Sequence, residues 1–370
     1  MPYQSSRAPN ALLKPTSIEA YRKYSIFGLV KRTAFAALIG ASLSGCLESG
    51  GSSSDDDAKL GGGKTPIVKD VSISGFAVKG ILADAVVKAY DISGTTLLAE
   101  TTTNAQGKYT LPAINHDGPI LVKLETKLGT EATCDSAVGC DDGSATKVAF
   151  GAKYAFNKTG FSLSAVLPSA KAAEQQELMV TPVTNMAAAR IKKAAQTNGG
   201  SISSADVVGL NQATATLLGL DGIDINTIAP VDITDATATN AGSAAAKLYG
   251  TLVASIQTLA EKDATKDITQ VVDGLATDYA DNDGLVSKST DDSKVTLDKI
   301  FLGAIDVVNA AKDKATTNNE TVELTEAEGQ LETEQTETDN AEVDVVVVVT
   351  PTPVDPVDPV DPVDPVDPVD

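Results

Sequence analysis

Two periodicities divide the chain. Between about residues 68 and 166 apolar positions alternate with polar ones, and from Thr181 onward they recur at three and four. In the first region Val71–Gly80, Ala85–Tyr90, Leu97–Thr103, Lys108–Leu111 and Pro119–Leu124 read as short strands. Gly75 and Gly80 mark a bend and a turn, and Ser93-Gly94 marks another. Asn104-Ala105-Gln106-Gly107 reads as a hairpin turn, with Gly107 at the position that needs positive φ. Short strands separated by glycine-rich turns predict an antiparallel β-sandwich. In the second region Thr181 opens a helix with Ala187, Ile191, Ala194 and Ala195 at helical spacing, ended by Gly199-Gly200. Ser203-x-x-Asp206 caps the next, which carries Val207, Leu210, Ala213, Leu217 and Leu218 and stops at Gly219. Three more stripes, over Ala245–Leu259, Ile268–Leu275 and Leu297–Val308, complete a small helical bundle. No clean repeat of roughly 20–50 residues argues for an extended array.

The ends follow neither pattern. Arg22, Lys23, Lys31 and Arg32 precede an apolar run from Ala34 to Leu43. A basic segment, a short apolar stretch and small residues before a cut site define a signal peptide, and this stretch is too short to span a bilayer. Leu43-Ser44-Gly45-Cys46 resembles the lipobox of bacterial lipoproteins. The resemblance implies that the Cys46 sulfur receives diacylglycerol and becomes the acylated N-terminus after cleavage. Each buried CH₂ contributes about 0.8 kcal/mol, and stable anchoring takes more than one chain. Leu47 stands where an Asp, in Gram-negative lipoproteins, tends to retain the protein in the inner membrane. The resemblance therefore implies the outer membrane, on its periplasmic or its cell-surface face. Residues 48–64 are Gly-, Ser- and Asp-rich and read as a flexible tether. Gly63-Lys64-Thr65 loosely matches a phosphate-binding loop, but that loop needs a strand before it and a helix after it, so the match is rejected.

At the other end, residues 316–370 hold sixteen Asp or Glu and no Lys or Arg. Over 320–344 the large apolar residues are Val322, Leu324, Leu331 and Val343, too few for a firm fold, although a frayed helix around Glu326 is allowed. Val345, Val346, Val347, Val348 and Val349 form a strand-like run that seeks a sheet edge, on its own sandwich or on a neighbour's, and so offers a route to self-association. Six Pro-Val-Asp triplets close the chain and favour an extended polyproline helix, an acidic spacer on the order of 50 Å long.

Several strand residues carry a second resemblance. Gly75-x2-Val78-x-Gly80, Ala85-x-Val87 and Thr103-x3-Gly107-x-Tyr109-x-Leu111 are similar to the carboxypeptidase regulatory-like, or transthyretin-like, β-sandwich. Gly118–Lys123, Glu131-Ala132-Thr133 and the segment from Thr181 extend the likeness to bacterial surface lipoproteins that carry that module. It covers about a quarter of the chain. In those proteins the module is non-catalytic and serves as a spacer, adhesion or docking element.

Charge and composition narrow the chemistry. The chain of 370 residues has a net charge of −21, and six of its basic residues lie in the first 45 beside a single acid, Glu19. Such a chain is a poor partner for nucleic acid or an anionic lipid surface, which both demand cations. With Cys46 assigned to lipid, Cys134 and Cys140 are an even pair in an exported protein, separated by a turn-prone five-residue spacer, and predict a loop disulfide. His116 is the sole histidine, in a turn, so neither a multi-histidine zinc site nor a histidine-based catalytic site is expected. No Gly-x-Ser-x-Gly elbow and no plausibly placed Ser-x-x-Lys dyad is present. No cofactor is expected. Calcium is the one ion to weigh: Asp281-Asn282-Asp283-Gly284 matches the middle of an EF-hand loop, yet Tyr279 and Thr290 occupy its terminal ligand positions. Asp135, Asp141 and Asp142 beside the disulfide offer a second set of oxygens and read as a solvated loop.

The expected protein is α+β and multidomain. Its parts are a signal peptide (1–45), a lipid anchor and flexible tether (46–66), a carboxypeptidase regulatory-like β-sandwich (67–168), a helical domain (169–315) and a disordered acidic tail (316–370). Its expected role is non-enzymatic: a surface or envelope lipoprotein making structural, adhesive or assembly contacts with other proteins. The alternative is an accessory or ligand-binding subunit of an outer-membrane complex, using a pocket between sandwich and bundle.

Overall fold

The computed structural model describes residues 71–158, 160–169, 175–263, 265–281 and 284–347. All of them belong to one compact unit. The chain is α+β, with strands first. These are β1 (Val71–Phe76), β2 (Leu82–Ala83), β3 (Val86–Asp91), β4 (Leu97–Thr102), β5 (Lys108–Ile114), β6 (Ile120–Glu125), β7 (Glu131–Thr133), β8 (Lys153–Ala155), β9 (Ser162–Leu167) and β10 (Gln175–Glu177). Helices follow: α1 (Pro182–Thr197), α2 (Ser204–Leu217), α3 (Ala236–Ala241), α4 (Ala244–Lys262) and α5 (Ile268–Asp281). The two-residue β11 (Leu285–Val286), helices α6 (Leu297–Thr317) and α7 (Thr325–Asp339), and β12 (Val346–Val347) complete the order.

Four antiparallel strands form one sheet in the order β4-β3-β6-β9, with Val87 opposite Leu124 and Leu124 opposite Leu163. A second sheet, β10-β1-β5, pairs β1 antiparallel with β5 and parallel with β10. A third joins β2, β7 and β8. The alternation in β5 is kept: Tyr109 and Leu111 are buried while Lys108 and Thr110 face water. The hairpin before it closes as the residues dictate, with the Asn104 side chain accepting from the N–H groups of Gln106 and Lys108 and Gly107 at φ +71°. Gly75 is needed for a different reason than a bend. A Cβ there would lie 1.9 Å from the Leu178 carbonyl oxygen, to which the buried Tyr109 hydroxyl donates at 2.5 Å.

Helix α1 starts at a reciprocal cap: the Thr181 side chain accepts from the Thr184 N–H, and the Thr184 side chain accepts from the Thr181 N–H. The helix packs on β9, where Asn185 accepts the Ser164 N–H. Helix α2 is capped by Ser203 as its sequence predicts. Helix α4 is more than one stripe. From Tyr249 to Thr258 every residue is buried, and α5, α6, α7 and α1 pack around it. Three of its inner hydroxyls are satisfied locally, Thr251 and Ser255 donating to carbonyls three residues back and Thr258 to one four back.

The acidic segment departs from expectation. Residues 325–339 form α7, packed along α6 with Leu324, Ala327 and Leu331 buried. Few apolar residues suffice because they fall at helical spacing on one side. Lys312 then pairs with Glu328 at 2.6 Å and Lys288 with Asp339 at 3.3 Å, supplying cations that the segment itself lacks. The Val run also departs. Val346 and Val347 pair antiparallel with Val286 and Leu285, so the edge they meet within the chain is β11 and not the strand-rich half.

Candidate functional site

The signal peptide, Cys46, the tether with Gly63-Lys64-Thr65, Val348, Val349 and the Pro-Val-Asp triplets lie outside the described residues. Within them, Cys134 and Cys140 form the disulfide, with Cα atoms 5.7 Å apart and both residues fully buried. The loop it closes is docked on α4. Thr258 accepts the Ala137 N–H, Glu261 accepts the Asp141 N–H, and Lys147 reaches both the Glu261 carbonyl and its carboxylate. This loop joins the strand-rich and helical halves.

Beside it lies a buried charge pair. Lys79, on the segment after β1, is 0 % exposed, and its ammonium sits 4.0 Å from Asp135 Oδ1. The ammonium also lies over the ring of Phe156, 4.6 Å from the centroid, and donates to the Tyr154 hydroxyl at 3.3 Å. The backbone N–H groups of Gly80 and of Asp135 itself favour the ionised Asp135 carboxylate. Gly80 reaches this place because its φ of +55° and its missing Cβ let it lie against the Thr133 carbonyl. Burial pushes the Asp135 carboxyl up to about 6, against the pull of Lys79, and the same burial lowers the Lys79 ammonium from its ordinary value. Asp135 Oδ1 has no hydrogen-bond donor.

A cavity of about 240 Å³ adjoins Asp135. Phe76, Val78 and Ile81 line its strand side, and Val231, Ile233 and Val253 its helical side. Asp232 is the second carboxylate on its wall, its Oδ1 accepting from the N–H and the hydroxyl of Thr234. The 229–233 segment is pressed onto α4: the Val231 N–H donates to the Ala246 carbonyl, and Gly250 leaves room that a Cβ would take from the Val231 carbonyl. A fixed wall of this kind, apolar with two carboxylates, is the sort of concave surface that orients a small ligand. A second cleft, of about 540 Å³, carries Lys262, Lys266, Lys294 and Lys299. Each is engaged within the chain: Lys262 by Asp306, Lys294 by Asp344, Lys266 by the Ser293 carbonyl and Lys299 by the carbonyls of Asp292 and Lys294.

The remaining sequence candidates do not converge. His116 is half-buried in the turn between β5 and β6. Asp141 and Asp142 each accept a backbone N–H two residues on, while Asp135 turns inward to Lys79, so the three do not share a ligand. Of the EF-hand-like stretch, Asn282 and Asp283 lie outside the described residues. Asp281 pairs with Lys193 at 2.8 Å, and Tyr279 is buried against Arg190 and Thr214. Among the described residues no group of three His, Cys, Asp or Glu is placed to hold a metal ion, and no helix is long and apolar enough to cross a membrane.

Sequence reasoning missed Lys79 and Asp232. Lys79 carries a faint signal, a lysine in a strand-like run just before a turn glycine. Its partner is 56 positions away and nothing local announces the pairing. No family model, curated protein or solved structure matches the chain.

Proposed function

We propose that the chain is a lipid-anchored protein of the bacterial outer membrane, non-enzymatic, whose folded head makes structural or adhesive contacts with other envelope proteins. The observation that carries this reading is the Cys134–Cys140 disulfide, fully buried in the core next to Lys79 and Asp135. A core disulfide belongs to an oxidising compartment, the destination to which the signal peptide and Cys46 send the chain. We read the β4-β3-β6-β9 and β10-β1-β5 sheets as the two layers of a carboxypeptidase regulatory-like sandwich, since Val87, Leu124, Tyr109 and Leu111 enter one continuous core. The exposed flank of β12 is the place where a further strand adds, from a second copy or a partner. Metabolic labelling with a fatty acid tests the anchor: label enters the wild-type chain and not a Cys46→Ser copy. Equal label in both, or none in either, removes the anchor and the localisation together.

One observation favours a second reading, an accessory or ligand-binding subunit of an envelope complex. The cavity beside Asp135 lies between strand-side and helix-side residues, where such a subunit holds its ligand.

A further inference from the structure

We propose that Lys79 and Asp135 condense in the folded chain, Lys79 Nζ joining Asp135 Cγ in an amide that ties the segment after β1 covalently to the disulfide loop. The modification is independent of the anchor and of both functional readings above.

An amine and a carboxyl meet here where water is absent. Lys79 is 0 % exposed and Asp135 3 % exposed, and Nζ stands 4.0 Å from Oδ1. The ring of Phe156 covers the amine, and Oδ1 receives no hydrogen bond. The main chain is fixed on both sides. The Val78 N–H donates to the Val180 carbonyl, the Thr133 N–H to the Ile81 carbonyl and the Cys134 N–H to the Ala152 carbonyl. Only the lysine side chain has to turn to bring its nitrogen to the roughly 3–3.5 Å from which a bond forms. Well-oriented groups reach effective concentrations of about 10⁵–10⁸ M, which favours an amide that free amine and acid in water do not make.

Ionisation is the ordinary obstacle. An ammonium has no lone pair to attack with, and a carboxylate resists attack. Burial opposes both charges, raising Asp135 to about 6 and lowering Lys79 from its ordinary value. The other charges nearby are Glu261 and Lys158 toward Lys79 and Asp232 toward Asp135. Glu261 is paired with Lys147, and Lys158 stands 3.9 Å from Asp141. Passage of one proton from Nζ to the carboxylate gives the reactive amine and acid without exchange with solvent. The Tyr154 hydroxyl, which accepts from Nζ at 3.3 Å, holds the nitrogen beside the carboxyl.

No other reagent is needed. The Nζ lone pair forms the bond to Cγ, and one Cγ–O bond breaks. The departing hydroxyl takes a proton from the nitrogen and leaves as water, and nothing is oxidised or reduced. Asp135 also borders the cavity of about 240 Å³, into which that water passes. The ion pair is the state of the newly folded chain. Once the amide has formed, neither group titrates.

The test is the mass of the purified full chain, kept folded at neutral pH and then reduced, against Lys79→Arg, which keeps the cation and cannot form the amide. Allowing for the substitution, the wild type is expected to be lighter by one water. Digestion is expected to release a branched peptide joining the stretch around Lys79 to the stretch around Asp135, 56 positions away. Lys79→Arg and Asp135→Ala yield linear peptides alone. If either variant fails to melt cooperatively, the branched peptide of the wild type decides by itself. Full mass in the folded wild type, with Lys79 and Asp135 recovered in linear peptides, overturns the amide. A lost water that maps to an Asp-Gly step such as Asp142-Gly143, where aspartate cyclises on its own backbone, overturns it as well.

Discussion

Asp135 and Glu334 are carboxylates that burial pushes upward, the first to about 6 and the second to about 7. Their neighbours oppose each other in sign. Lys79 faces Asp135 and draws it back toward ionisation, while Glu337 and Asp221 face Glu334 and drive it further from it. Glu334 also abuts Gly219 just past the end of α2, where a Cβ would approach its Oε1 to 2.8 Å, and a helix C-terminus disfavours an anion. One site is a pair fastened into the interior by a disulfide loop. The other is an acid held against acids by the apolar contacts of a single helix. Burial alone therefore does not say what a shifted carboxyl does. The partner decides whether its charge joins elements or strains a docking surface.

The largest expected effect lies at the joined site. Lys79→Met leaves Asp135 buried with no cation and is expected to cost about 3–5 kcal/mol, read from urea unfolding. The double change Lys79→Met with Asp135→Leu recovers most of that loss, because both charges leave together. A cost below about 1 kcal/mol for Lys79→Met alone makes the pair no stronger than a surface contact and removes the contrast with Glu334. The next effect lies in the middle of α7. Leu331 is fully buried, and Leu331→Ala is expected to lose about 2–5 kcal/mol. If α7 opens as its own unit, hydrogen exchange rises over residues 325–339 while β3 and β6 stay protected. Uniform loosening of both regions breaks the comparison from the other side.

Much of the architecture was legible because it is local. The strands Ala85–Tyr90 and Pro119–Leu124, the Asn104–Gly107 turn, the helix start at Thr181 and the cap at Ser203 each depend on residues within a few positions, and each stands close to where the pattern put it. The disulfide was legible from counting. What escaped was long-range or masked by composition. Helix α7 had its signal in Leu324, Ala327 and Leu331, at steps of three and four, but six acids in fifteen residues obscured it, and its cations come from Lys312 and Lys288. Strand β10, with the polar sequence Gln175-Gln176-Glu177, is a strand only because β1 offers it a parallel edge. The cavity depends on the approach of Gly80, Asp135 and Val231, which no window of sequence contains.

The smallest effect is also the one that separates the two carboxyls in a single titration. Glu334 has a folded-state value of about 7 against an ordinary 4.5, so the folded chain holds a proton there that the unfolded chain has released. Stability from this group is complete below about 4.5 and is lost as the pH rises through about 7. Asp135 loses its share in the same direction, but through about 6. Glu334→Gln keeps the side chain neutral at every pH. The variant is therefore expected to match the wild type at about pH 5 and to exceed it at about pH 8 by about 1 kcal/mol, since the partly solvated carboxylate is screened. The fall that remains then ends near 6 and includes the share of Asp135. The measurement is unfolding free energy against pH for both proteins, with hydrogen exchange reporting on residues 325–339. If Glu334→Gln leaves the upper limb of the curve in place, the acids around α7 are fully hydrated, and the helix is docked by Leu324, Ala327 and Leu331 without electrostatic cost.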